Sequence, residues 1–163
     1  MAWGKNGTPH TLTGSADVLT ISDLTGTTFM QEMLHIITTG GAVSQRLTFN
    51  SDTGSNYAQR KSSDGGSDAT GASGVNIDGF NDDLVTDSGG FTIVYIINIA
   101  GEEKLAITFS VSGEAAGAGT APTRDEGVFK WVNTSAQITQ IDHNNNKAGS
   151  HDINSNVSAL GTD

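Results

Sequence analysis

Residues 91–100 and 104–112 carry the strongest hydrophobic pattern in the chain. In the second stretch Leu105, Ile107, Phe109 and Val111 alternate with Lys104, Ala106, Thr108, Ser110 and Ser112. A period of two turns one face of a β-strand to a core and the other to water or to a layer of small residues. In the first stretch Phe91, Ile93, Tyr95, Ile97 and Ile99 share one face while Val94 and Ile96 share the other. Both faces are apolar, as in a central strand covered on two sides. Joined by Gly101, Glu102 and Glu103, the two stretches predict a β-hairpin. The two-sided strand predicts a sandwich, or a sandwich that also packs against another subunit.

Weaker patterns fill in the rest. Residues 18–21 predict a short strand. Residues 29–39 also fit a helical stripe through Phe29, Met30, Met33, Leu34 and Ile37, but the run ends in β-branched Ile36, Ile37, Thr38 and Thr39 and then Gly40 and Gly41, which favours a strand. Val43, Gln45, Leu47 and Phe49 alternate with Ser44, Arg46, Thr48 and Asn50, so 29–39 and 43–50 predict a second hairpin around the Gly-Gly turn. Short strands are expected at 56–61 and 75–80 within an otherwise loop-like stretch, and residues 113–122 read as a flexible loop of small residues. Residues 127–133 and 137–142 are expected to pair across Thr134–Ala136, and 156–160 to form a last strand. The predicted fold is one all-β domain over 1–163, an antiparallel jelly-roll-like β-sandwich of about eight to ten strands, with a closed β-barrel as the alternative.

Composition narrows the function. Eighteen acidic residues against eight basic ones give a net charge of −10, which repels phosphate backbones and anionic bilayers and argues against nucleic-acid and membrane partners. Charged residues make up only 16%, so Ser, Thr, Asn and Gly supply the polar surface, as in β-rich virion and adhesin-like proteins. The absence of Cys excludes disulfides and thiolate chemistry. The first eight residues lack the apolar run of a signal peptide, and no stretch has the length of an apolar membrane span, so synthesis in the cytoplasm is expected.

No pattern of residues points to catalysis. Asn50, Asp52, Gly54 and Asn56 begin like a calcium loop, but Lys61 stands where an EF-hand needs its bidentate Glu. Asp142, Asn144 and Asn146 form a second alternating set, and in both places Asx turns explain the residues without a metal. His10, His35, His143 and His151 are not spaced as zinc ligands, and His35 fits a core or interface imidazole. Glu102, Glu103, Glu114 and Glu126 lack the spacing that sets two carboxylates on one strand face, and no nucleophile elbow is present. No cofactor is implied beyond the calcium loops just weighed. The residues picked out for ligand or subunit contact are Trp3, Tyr57, Arg60 and Trp131. Trp3 and Tyr57, in polar segments, are the better placed for a surface role, whereas Trp131 and Tyr95 lie in apolar strands that suit a core.

A set of segments spread over nearly the whole chain carries a resemblance: Met1-Ala-Trp-Gly4, Leu19-Thr-Ile-Ser-Asp-Leu24, Asn50-Ser-Asp-Thr-Gly-Ser-Asn-Tyr57-Ala-Gln-Arg60, Asp64-Gly-Gly-Ser-Asp68, Tyr95-Ile-Ile-Asn-Ile99, Gly117-Ala-Gly-Thr-Ala-Pro122, Lys130-Trp-Val-Asn-Thr-Ser135 and Leu160-Gly-Thr-Asp163. Together they resemble a family of small virion structural proteins of marine and environmental tailed bacteriophages. The resemblance implies a non-enzymatic part of a virion and brings no catalytic residues with it. The expectation is a capsid decoration or cement protein that binds the outer head lattice as a homo-oligomer, with itself and the major capsid protein or other virion proteins as partners. The alternative is a receptor-binding or fibre domain recognising a host-surface glycan.

Overall fold

Alternation becomes strand throughout the computed structural model, which describes residues 2–85, 88–113 and 117–163, without side chains at 79 and 81–83. Thirteen strands and no helix occur among the described residues, and every ladder is antiparallel. The strands are β1 (Gly4–Thr11), β2 (Val18–Ile21), β3 (Phe29–Thr39), β4 (Val43–Phe49), β5 (Tyr57–Ser63), β6 (Ala69–Gly74), β7 (Ile77–Leu84), β8 (Gly89–Ile97), β9 (Lys104–Gly113), β10 (Thr123–Trp131), β11 (Ile141–Asn145), β12 (Ser150–His151) and β13 (Asn156–Thr162).

They form a β-sandwich, not a closed barrel. The small sheet runs β2-β11-β4-β7, and the large one runs β1-β13-β3-β8-β9-β10-β5-β6, with β12 also on β3. From β1 to β4, from β7 to β8 and from β11 to β13 the chain alternates between sheets. Four strands of the large sheet, β1-β13-β3-β8, stand against the four of the small one, which is the two-sheet arrangement of a jelly roll. Two inserted pairs, β5–β6 and β9–β10, extend the large sheet past β8 as a wing. The core lies between the sheets, built from Leu34, Ile36, Leu47, Phe49, Ile77, Phe80, Val94, Ile96 and Trp131 among others.

Several pairings depart from expectation. β3 is a strand with Met30, Glu32, Leu34, Ile36 and Thr38 buried in strict alternation, but it does not pair with β4. Gly40 and Gly41, at φ 72° and 153°, carry the chain from one sheet to the other, because β4 buries Val43, Leu47 and Phe49 in the facing layer. Likewise β11 begins at Ile141 and pairs with β2 and β4, not with β10. β1 and β6, whose polar and small residues give no periodic signal, lie at the two edges of the large sheet. The hairpin of β8 and β9 forms as expected, in register from Gly89↔Gly113 to Ile97↔Leu105.

The orientation of that hairpin is reversed. In β9 the buried residues are Lys104, Ala106, Thr108, Ser110 and Ser112, while Leu105, Ile107, Phe109 and Val111 are exposed. The inner face of β9 packs against β7 at the rim of the small sheet, beside the Phe129 and Trp131 rings that β10 turns inward onto Phe49 of β4. It takes small hydroxylated side chains, and Thr92 and Ser110 hydrogen-bond across it at 3.0 Å. Lys104 donates to the carbonyls of Glu102 (2.5 Å) and Asn133 (3.0 Å), and burial pushes its amine down against the nearby Glu102 charge.

Candidate interaction face

Four neighbouring strands of the large sheet set sixteen outward side chains in four rows. Across β3, β8, β9 and β10 the rows are Phe29, Ile97, Leu105, Lys130; then Gln31, Tyr95, Ile107, Val128; then Met33, Ile93, Phe109, Glu126; then His35, Phe91, Val111, Arg124. The two central columns are wholly apolar, and seven of their eight side chains are 39–51% exposed. Taking about 200 Å² for a fully open large side chain, the apolar residues of this face leave on the order of 700 Å² uncovered. That exceeds the few hundred Å² usual for one patch on a monomer.

Electrostatics sets the face apart as well. Of the acidic residues on the chain, only Glu126 stands among these sixteen positions, and it pairs with Arg124 at 3.0 Å. Lys130 reaches out to Glu103 at 2.9 Å. A molecule of charge −10 therefore keeps one face close to neutral. Part of the face is hollowed into a groove of about 680 Å³ between Trp3, Phe29, Tyr95, Leu105, Val128 and Arg60.

The residues picked out from the sequence divide between this groove and the core. Trp3, 47% exposed, and Arg60 both line the groove, and Arg60 also pairs with Asp68 at 3.0 Å. Tyr57 and Trp131 are core residues, 2% and 1% exposed. Their rings pack on Phe49 at 6.3 and 5.7 Å between centroids. The Tyr57 hydroxyl accepts from the Phe49 N–H at 2.9 Å and donates to the Asp52 carbonyl at 3.0 Å. Trp131 Nε1 donates to the Asp52 carboxylate at 2.7 Å. Tyr57 is thus a corner post rather than a surface contact, and burial pushes its phenol up to about 12. Tyr95, placed by its apolar strand in a core, is the tyrosine that lies open, at 41%. The sequence missed it because alternation shows that a strand has two faces without showing which one is covered.

The other side-chain clusters serve the fold. Burial pushes the Asp52 carboxyl up, but hydrogen bonds from Trp131, Asn56 and Gly54 outweigh it and hold the group below the usual carboxylate range. Asp142 accepts from Thr20 at 2.7 Å, Ser51 at 3.1 Å and Gln140 at 2.8 Å. Both proposed calcium loops thus spend their carboxylates on donors of the chain itself, and no three His, Asp or Glu side chains converge as metal ligands among the described residues. His143 meets Glu32 at 2.7 Å with both side chains fully buried, and Gln45 Nε2 donates to His151 Nε2 at 2.8 Å. These two contacts join the sheets through the core. His35 is exposed on the apolar face. Glu114 and Asp87 lie outside the described residues.

No family model and no curated protein matches the chain. Among solved structures, a mutant of the alginate lyase Aly36B with bound alginate tetrasaccharide aligns over 89% of this chain and 74% of its own at 12% identity, with a TM-score of 0.33. A second mutant of that enzyme, with a trisaccharide, gives 88%, 75%, 12% and 0.30. Likeness at that level carries no functional argument.

Proposed function

We propose that the chain is a non-enzymatic structural protein of a tailed-phage virion, a decoration or cement subunit that binds the outer head lattice as a homo-oligomer. The observation that carries this reading is the uncovered, nearly uncharged face of β3, β8, β9 and β10. At roughly 25 cal/mol per Å², burying it in a contact contributes on the order of 15 kcal/mol before association costs are subtracted. A face of that kind suits protein contact better than chemistry. The resemblance supplies the virion, and the major capsid protein is then the natural second partner. Cryo-electron microscopy of the particle that contains the chain tests this directly. Density for the chain on the head lattice is expected, and its absence from the mature particle would overturn the proposal.

A second reading, a receptor-binding or fibre domain for a host glycan, rests on the open rings of Trp3 and Tyr95 beside Arg60 in one groove, since aromatic rings stack on sugars. Binding on a glycan array that is lost in Trp3→Ala would favour it. An empty array together with no cell binding would dismiss it.

A further inference from the structure

Resting on that reading of the face as a protein-contact surface, we infer that its occupant is a second copy of this chain, stacked sheet on sheet about a two-fold axis that runs parallel to the strands between β8 and β9.

Area and charge both point to a self-contact. The open apolar surface, on the order of 700 Å², together with the polar rim reaches the roughly 800 Å² per partner of a standard interface. Acidic residues are nearly absent from this face on a chain of charge −10, so two copies meet there without pressing their carboxylates together, whereas most other approaches do. The charges that remain select the axis. A two-fold parallel to the strands lays β10, with Arg124, Glu126 and Lys130, over β3 of the partner, whose outward residues carry no acid and no Lys or Arg. A two-fold across the strands would instead lay β10 on β10 of the partner and set Arg124 of each copy against Lys130 of the other. In the chosen geometry each Tyr95 faces Ile107 of the partner subunit, and the β8–β9 hairpins form the centre of a new sandwich layer.

Sedimentation equilibrium on the full chain tests the inference. The wild type is expected at twice the chain mass, and Ile107→Glu or Phe109→Glu is expected to weaken the dimer by about 100-fold or more, as for a charge placed in an interface centre. Val18→Glu and Val75→Glu, at open apolar positions away from the face, should leave it intact. Far-UV circular dichroism verifies that each variant is folded, and Ile107→Ser serves as the milder substitution. For the axis, Gln31→Cys protein mixed with Val128→Cys protein should cross-link through a short bis-maleimide, in a chain with no other thiol, while either alone should not. A wild type that stays monomeric, an assembly larger than two, or a dimer indifferent to Ile107→Glu and Phe109→Glu would overturn the inference. Cross-linking confined to single variants would overturn the axis. A homo-oligomer on the head lattice that is joined through another surface would sink this inference and leave the proposed function standing, and a dimer absent from particles would do the reverse.

Discussion

His151 shows at the scale of one side chain how the core constrains the protein. Burial, with His143 nearby, pushes its imidazole down to about 4 against a weaker pull from Asp17, so the folded state holds it neutral. The unfolded chain takes up that proton near pH 6.5. Stability is therefore complete above about pH 6.5 and declines as the pH falls toward 4, by on the order of 3 kcal/mol from this group. Urea titrations between pH 7 and 4 should record the decline, and His151→Gln should be less stable at neutral pH yet flatter across that window. Glu32 and His143 form the other link between the sheets. Removing one partner leaves a buried polar group without its mate, so Glu32→Ala should cost about 3–5 kcal/mol in the same assay. Tyr57 offers a spectroscopic counterpart, since an ultraviolet titration should show one phenol ionising only near pH 12, a step absent from Tyr57→Phe. None of these roles was legible in the sequence. Tyr57 sits in a polar segment, and what buries it is Phe49 and Trp131, the latter arriving from a strand more than seventy residues away.

At the scale of the element, β9 separates what a pattern can say from what it cannot. Its alternation identified the strand and its hairpin partner correctly, because period two follows from backbone geometry alone. The sign of the alternation depends on which layer covers which face. Here the rim strand β7 packs on the inner side, and Ala106, Thr108 and Ser110 are the small residues buried there. The consequence is measurable in monomer stability. Thr108→Leu should overpack that layer and cost about 1–3 kcal/mol, whereas Phe109→Ser, at an open position, should change the unfolding free energy of the monomer by less than about 0.5 kcal/mol. If the two effects came out reversed in denaturant titrations of dilute protein, the assignment of faces would be wrong. The Gly40-Gly41 turn teaches a similar lesson. Two strands flanking a turn were legible, but whether they pair or part depends on where β8, β11 and β13 compete for their edges, and those partners come later in the chain. Edge strands β1 and β6 carry Lys5, Asn6, Thr70 and Ser73 in place of a periodic apolar set, so nothing in their sequence marked them.

For the molecule as a whole, the sandwich class was legible from many short strands and Gly- and Asn-rich turns, while its division into a jelly roll and a wing was not. The division matters because the open apolar face spans the junction: β3 and β8 of the jelly roll and β9 and β10 of the wing all contribute to it. The two inserted pairs also make the order of synthesis a structural variable. β5 finds its partner β10 only after some sixty further residues have emerged, and β1 pairs with β13, the final strand, which lies between β1 and β3. Synthesis therefore leaves the large sheet unfinished until β13 has been made, with the apolar β8–β9 hairpin made well before it. A pause before β13 is made would leave the edges of β1 and β3 that it joins, and that hairpin, bare together.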